Sequence, residues 1–294
     1  MLKEPWYFSM LACPDCKQDL RASLHGKLHC RACSFETSIS TPINLLPIQP
    51  RDISFSFRKF SISDPDEYLS RLDLTQPENK YSGPSPADDP APSMLLSQVL
   101  AAHPAAKAVL DLGCGNRNKR PCFEFLGCQY VGLDLPGSAP DIVGDAHFLP
   151  FLGQQFDVVF SYAVLEHVYN PYVTLAEIRR VLKPDGIFIG SVSQGEPSHK
   201  SYFHHTAWAL LALCEATGFR VTRLWSSGDT LKKLAAMGRY PKIIRYALAS
   251  INMLHERMPI MAPRRMMRWS DQEKRLNQLH QAGAICFCMR PTDA

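Results

Sequence analysis

The 294-residue chain lacks several features, and each lack removes a class of protein. No apolar run approaches the roughly 20 residues that a membrane-spanning helix needs; the longest, near Ala207 to Leu213, is far shorter. The opening stretch MLKEPWYFSMLACPDC has no long apolar core and carries Glu4, so no secretory signal is read. Charge of one sign is not in surplus: 32 Lys or Arg stand against 28 Asp or Glu, a net charge of +4 that names no partner by itself. No internal repeat is found. A composition of 46% hydrophobic and 20% charged residues is that of an ordinary soluble globular protein, for which a main domain with smaller pieces is expected at this length. Ten cysteines without an export signal read as reduced thiols with a metal among their uses, not as a disulfide framework. A cytoplasmic protein without a transmembrane segment is expected.

What is present centres on Lys107 to Gly115, KAVLDLGCG. Ala108 to Leu112 is a short apolar run of the kind a buried parallel strand shows. It breaks into Gly113-Cys114-Gly115, a turn in which glycine opens backbone angles and allows a ligand close approach. A second apolar run, Gln129 to Leu135, carries Asp134 near its C-terminal edge, 21 residues after Gly113. A carboxylate there can accept both hydroxyls of a ribose, and ligands of open α/β sheets bind at such strand ends. A dinucleotide would want a third glycine where Asn118 stands, and a helix sooner than Arg117, Lys119, Arg120 and Pro121 permit. Asp111 also suits a cation better than a pyrophosphate, such as the ammonium and sulfonium of S-adenosylmethionine.

At these residues the chain resembles the class I S-adenosylmethionine-dependent methyltransferases. The resemblance extends over 94–290 through VGLDL (Val131 to Leu135), GDAHFLPF (Gly144 to Phe151), FDVVFSYAVLEHV (Phe156 to Val168) and LAEIRRVLKPDGIFIGSV (Leu175 to Val192). It implies an α/β fold, a Rossmann-like sheet of seven strands with the last antiparallel. It further implies that Asp111, Gly113 and Gly115 line the methionine end of the cofactor and that Asp134 holds the ribose. Asp145 and the backbone of Ala146 would meet the adenine edge, with Leu135 and Phe148 on its faces.

Cys13-Pro-Asp-Cys16 and Cys30-Arg-Ala-Cys33 are two C-x2-C knuckles 13 residues apart. Two such turns supply a closed tetrahedral set of four sulfurs for a structural zinc, whose binding would supply the folding energy of so short a segment. The stretch resembles zinc-ribbon domains that act as methyltransferase activators or are fused to methyltransferases. With NLLPIQ at Asn44 to Gln49 it also looks like the front of bacterial rRNA guanine methyltransferases, although those usually use a histidine ligand. Three parts are expected: a ribbon over 1–50, an extended arm and Pro-rich linker over 51–93, and the methyltransferase domain over 94–294. Loss of the metal is expected to unfold the ribbon and leave cofactor binding intact.

Between the sixth and seventh sheet strands, 229–280 forms a helical insertion with 11 Lys or Arg against 4 Asp or Glu, a net +7, and six methionines. Two readings stand: a helical cap with a solvated basic face, or a docking surface for RNA, a membrane surface or an anionic acceptor. For methyl transfer to a hydroxyl, His167 in VLEHV and His205 in SYFHHT are the candidate general bases, although each also has a structural reading. The leading function is methylation at oxygen or carbon of a small-molecule or lipid- or saccharide-linked acceptor; the alternative is an RNA methyltransferase. Adenine N-methylation is disfavoured because an N-P-P-[FYW] motif is missing where Ser161-Tyr162-Ala163-Val164 stands.

Overall fold

The computed structural model describes residues 5–23, 25–48, 60–84, 90–102, 108–195, 200–229, 241–244, 246–247, 250 and 269–292. The first part of the extended arm expected over 51–93, residues 51–59, lies outside these residues, as does most of the basic insertion, Met237, Met253, Met258, Met261, Met266 and Met267 included.

The N-terminal part carries β1 (Leu20–Ala22), β2 (Lys27–Cys30), β3 (Glu36–Ser38) and β4 (Ile43–Asn44). Two helices follow, α1 (Pro65–Ser70) and α2 (Pro90–Ala102), then β5 (Ala108–Leu112), α3 (Arg120–Phe125), β6 (Gln129–Asp134), β7 (Ile142–Val143) and β8 (Phe156–Tyr162). The remainder is α4 (Pro171–Val181), β9 (Leu182–Ser193), α5 (Ala207–Thr217), β10 (Phe219–Asp229), α6 (Asp271–His280) and β11 (Ala282–Pro291). β1, β2 and β3 form an antiparallel sheet of their own. The main sheet has the order β10-β11-β9-β8-β5-β6-β7-β4. Its middle is parallel, and β11 runs antiparallel to both β10 and β9. The seven expected strands are therefore present with the last one antiparallel, and β4 adds an eighth in parallel to β7.

Local chemistry sets the element ends. All five residues of β5 are buried, as a strand covered on both faces requires. α4 starts at Pro171 behind Asn170, whose side chain accepts the Val173 N–H, and finishes on Arg179 and Arg180, cations at the negative end of the helix dipole. α5 is capped by Thr206 and stopped by Gly218 at φ +74°, the left-handed angle that closes a helix. α6 begins in a capping box of Ser270 and Glu273. α4 ends at Val181, ahead of Asp185-Gly186. β9 starts directly at Leu182, and residues 183–186 bulge, since Phe156 pairs with Leu182 but Val158 with Ile187.

Residues before β5 reach both edges of the sheet. On one edge β4 lies along β7. On the other, Asp73 bridges Arg223 of β10, and its carbonyl accepts the Leu224 N–H at 3.1 Å. Leu11, Leu28 and Phe35 of the N-terminal part share one apolar cluster with Leu149, Phe151 and Phe156 of the sheet domain. Among the described residues no helix is long and apolar enough to cross a membrane.

Candidate cofactor site

The strand ends of β5 and β6 meet at the glycine turn. Gly113 takes φ +71°, and its N–H and that of Cys114 donate to the Leu133 carbonyl at 2.8 and 3.2 Å. A Cβ on Gly113 would come within 2.2 Å of Val164 Cγ2, so the turn and the loop after β8 are in close contact. Asp134 closes the turn from the next strand. Its Oδ2 accepts the Gly115 N–H at 2.7 Å and its Oδ1 the Leu135 N–H at 2.7 Å. The carboxylate is thus fixed at the strand edge by two backbone donors.

A cavity of 370 Å³ opens beside this turn. Gly113, Asp134, Leu135, Asp145, Ala146 and His167 line it, six of the residues that the sequence nominates. Leu135 is 55% exposed and Tyr169 53%, and both line the cavity. Exposed apolar surface of this kind suits a purine ring, and the carboxylate of Asp134 suits a ribose.

Four nominated residues are not among those lining the cavity. Gly115 sits in the turn with its N–H on Asp134. Asp111 is fully buried behind the turn, where its Oδ2 accepts the Tyr130 hydroxyl at 2.7 Å and its Oδ1 takes no hydrogen bond among the described residues. Burial pushes its carboxyl up to about 6, against the opposing pull of the Lys119 charge. Phe148 faces the N-terminal part, with Lys17 Nζ 5.9 Å from its ring centroid, and not the expected adenine face. His205 is buried, its Nε2–H donating to the Leu165 carbonyl at 3.2 Å; burial pulls its pKa down. It braces the loop that carries His167, which is exposed at the cavity.

The cavity also holds residues that the sequence did not flag. Asn170 donates its N–H to His147 Nε2 at 3.2 Å, which assigns the proton of that ring to Nδ1. Nδ1–H then donates to Asp145 Oδ1 at 2.6 Å, and the His147 N–H reaches the same oxygen at 2.8 Å. Burial raises the Asp145 carboxyl, but these two hydrogen bonds together with charge from His147 and Lys17 offset it and hold it below the usual carboxylate range. Tyr169 stacks on His147 at 4.0 Å, and Tyr202 is anchored by its N–H on the Glu166 carbonyl at 2.8 Å. Only GDAHFLPF could have pointed to His147, through its position two residues after Asp145. Tyr169 and Tyr202 come from separate loops with no motif.

A second constellation lies in the N-terminal part. The sulfurs of Cys13, Cys16, Cys30 and Cys33 all lie within 4.8 Å of one another, with Cys13 to Cys33 at 3.5 Å and Cys16 to Cys30 at 3.4 Å. Four thiolates about 2.3 Å from a tetrahedral ion would stand about 3.8 Å apart, so the set fits a metal ion. Each knuckle is tied by its own backbone: Lys17 N–H donates to the Cys13 carbonyl at 2.9 Å, and Ala32 N–H to Cys30 Sγ at 3.3 Å.

Comparison with known proteins matches the same region. Residues 110–190 fit a family described as methyltransferase domain. The chain is 28% identical over 116 residues to a ubiquinone biosynthesis O-methyltransferase of Pseudomonas syringae, over 33% of this chain and 50% of that protein. It is 33% identical over 99 residues to the arginine-hydroxylase NDUFAF5 of Homo sapiens, over 30% of this chain and 29% of that one. The chain thus spans half or less of the length of either relative. A solved 1,6-didemethyltoxoflavin-N1-methyltransferase of Burkholderia thailandensis, with S-adenosylhomocysteine bound, is similar over 70% of this chain and 80% of that one, at 16% identity and a TM-score of 0.45. The matched 110–190 segment contains the glycine turn, Asp134 and Asp145 of this Rossmann-like sheet, so the similarity to methyltransferase domains falls on the residues around the cavity.

Proposed function

We propose that the chain is an S-adenosylmethionine-dependent methyltransferase that acts on a small-molecule or lipid- or saccharide-linked acceptor, at oxygen or carbon. The observation that carries this reading is the cavity itself. It gathers Gly113, Asp134, Leu135, Asp145 and Ala146 at the strand ends, with His167, Tyr169 and Tyr202 on the facing loops. Its volume falls within the roughly 300–1,000 Å³ of small-molecule sites. Among the described residues lining it none is Lys or Arg, the cations that a nucleic-acid acceptor needs for its phosphates.

The cofactor supplies, when bound, a methyl group on a positively charged sulfur. The chain supplies orientation, which for two aligned reactants is worth several kcal/mol. Asp134 accepts the ribose hydroxyls, Asp145 and the backbone of Ala146 read the adenine edge, and Leu135 and Tyr169 cover the ring. Asp111 lends negative charge behind the glycine turn, where the ligand's ammonium would lie. His167, exposed at the cavity, takes the proton of an acceptor hydroxyl. The four-cysteine set holds zinc, since four thiolates with no open position suit a structural ion.

Calorimetry with S-adenosylhomocysteine tests the cofactor step. Micromolar binding is expected, with Asp134→Ala weakening it by about 1–3 kcal/mol, the scale of lost hydrogen bonds to a ligand. Absence of binding, with a nicotinamide cofactor bound instead, would overturn it. Incubation with methyl-labelled cofactor then separates acceptors: label in low-mass hydroxylated or carboxylated compounds supports the reading, and label in RNA alone refutes it.

A further inference from the structure

The cofactor wall between β7 and β8 is gripped on both sides by the four-cysteine part. On the upstream side, Ile43 N–H donates to the Asp141 carbonyl at 3.0 Å and Leu45 N–H to the Val143 carbonyl at 2.8 Å. On the downstream side, Ala12 N–H donates to the Pro150 carbonyl at 3.0 Å, Leu152 N–H returns to the Met10 carbonyl at 2.8 Å, and Leu11 bridges Phe151. Lys17 adds a side-chain anchor, its Nζ on the Leu149 carbonyl at 3.1 Å and on Glu177 Oε2 at 2.8 Å. Between these two grips lie Gly144, Asp145, Ala146 and His147, all of which line the cavity.

The downstream grip is built on the metal knuckle. Lys17 sits one residue past Cys16 in the left-handed region, φ +63°, with its N–H on the Cys13 carbonyl. That conformation is uncommon for a residue with a side chain and persists where the surroundings enforce it. Ala12 and Cys13 are adjacent, so the donor to Pro150 and the first sulfur move together. Resting on the cofactor reading above, we infer that the four-cysteine part acts as a clamp positioning the Asp145–His147 turn, so that metal occupancy of the cysteines sets cofactor affinity. This opposes the expectation that loss of the metal leaves cofactor binding intact. The clamp does not act alone, because Arg180 on α4 holds the Phe151 and Leu149 carbonyls at 2.7 and 3.0 Å. Loss of the metal therefore loosens the turn and leaves the sheet standing.

The test compares S-adenosylhomocysteine binding by the full chain with metal bound, the full chain after chelation, and Lys17→Ala with metal bound. Chelation should weaken binding roughly ten-fold, within the usual range of coupling between sites. Lys17→Ala should weaken it several-fold while retaining the metal, and Lys17→Arg should recover part of the loss. Hydrogen exchange supplies a readout apart from affinity: amides of 144–148 should exchange faster after chelation, while those of β5 and β8 stay protected. Equal affinity in all three preparations, with unchanged exchange at 144–148, would overturn the clamp. Failure of the metal-loaded wild type to bind at all would instead overturn the cofactor reading.

Discussion

Asp111→Asn separates the cost of a buried charge from its use. The carboxyl is fully buried, with one oxygen on the Tyr130 hydroxyl and the other without a partner among the described residues. Its pKa rises from 3.8 to about 6 on folding, chiefly through burial. Because the folded value is the higher one, the folded state holds its proton more tightly. The stability this contributes is complete below about pH 4 and is lost as pH rises through about 6. A shift of about two units corresponds to about 3 kcal/mol. Asparagine keeps an acceptor for Tyr130 and carries no charge, but its amide takes the place of the unpartnered oxygen at a cost of about 1–3 kcal/mol at every pH. The variant should therefore gain about 3 kcal/mol relative to wild type between pH 4 and pH 8. At roughly 2–4 °C per kcal/mol, that is about 6–12 °C in the difference of melting temperatures. Thermal unfolding of both proteins by circular dichroism at the two pH values, without cofactor, measures it. At pH 8 the same variant should bind S-adenosylmethionine more weakly, since the charge behind the glycine turn is gone. A melting difference that is the same at pH 4 and pH 8 would refute the argument, because it would mean that the carboxyl ionises as freely in the fold as in water.

Gly113→Ala should destabilise the chain by about 1–3 kcal/mol, from a left-handed backbone angle and a Cβ 2.2 Å from Val164 Cγ2. Adding Val164→Ala should relieve the contact but not the backbone strain, so denaturant titrations should show partial recovery. Elemental analysis of protein prepared without added metal should find one zinc per chain, and Cys13→Ser should lose it; a metal-free protein with these cysteines in disulfides would refute the assignment.

Where residue type and spacing act locally, the sequence was a sufficient guide. The run Ala108 to Leu112, the glycines after it and Asp134 at the end of β6 follow from strand period and turn chemistry, and Leu112, Gly113 and Asp134 meet at the cavity. The paired knuckles likewise bring four sulfurs together because each holds two on one turn. What escaped is set by distant partners. β4 is two residues long, too short for any period, and becomes a strand only because β7 offers an open edge. Phe148 turns away from the cavity because the short helical turn Ala146–Phe148 aims it toward Lys17, 131 residues earlier in the chain. His205 looks like a base in SYFHHT, yet the Leu165 carbonyl and its burial bind it into the loop. Tyr169 and Tyr202 reach one cavity from loops 33 residues apart, a closeness that no spacing rule encodes.

The two edges of the main sheet are met by β4, along β7, and by Asp73, at β10, both of which precede β5 in the chain. An open strand edge is a template for pairing with another molecule, and parallel sheets are slow to assemble because their contacts are distant in sequence. During synthesis from the N-terminus, both covers leave the ribosome before β7 and β10 exist. Each vulnerable edge therefore forms with its own partner already tethered nearby, at an effective concentration that a foreign strand must exceed. The order of the chain thus places each of these segments ahead of the edge it meets, which the same segment appended at the other end of the chain would not do.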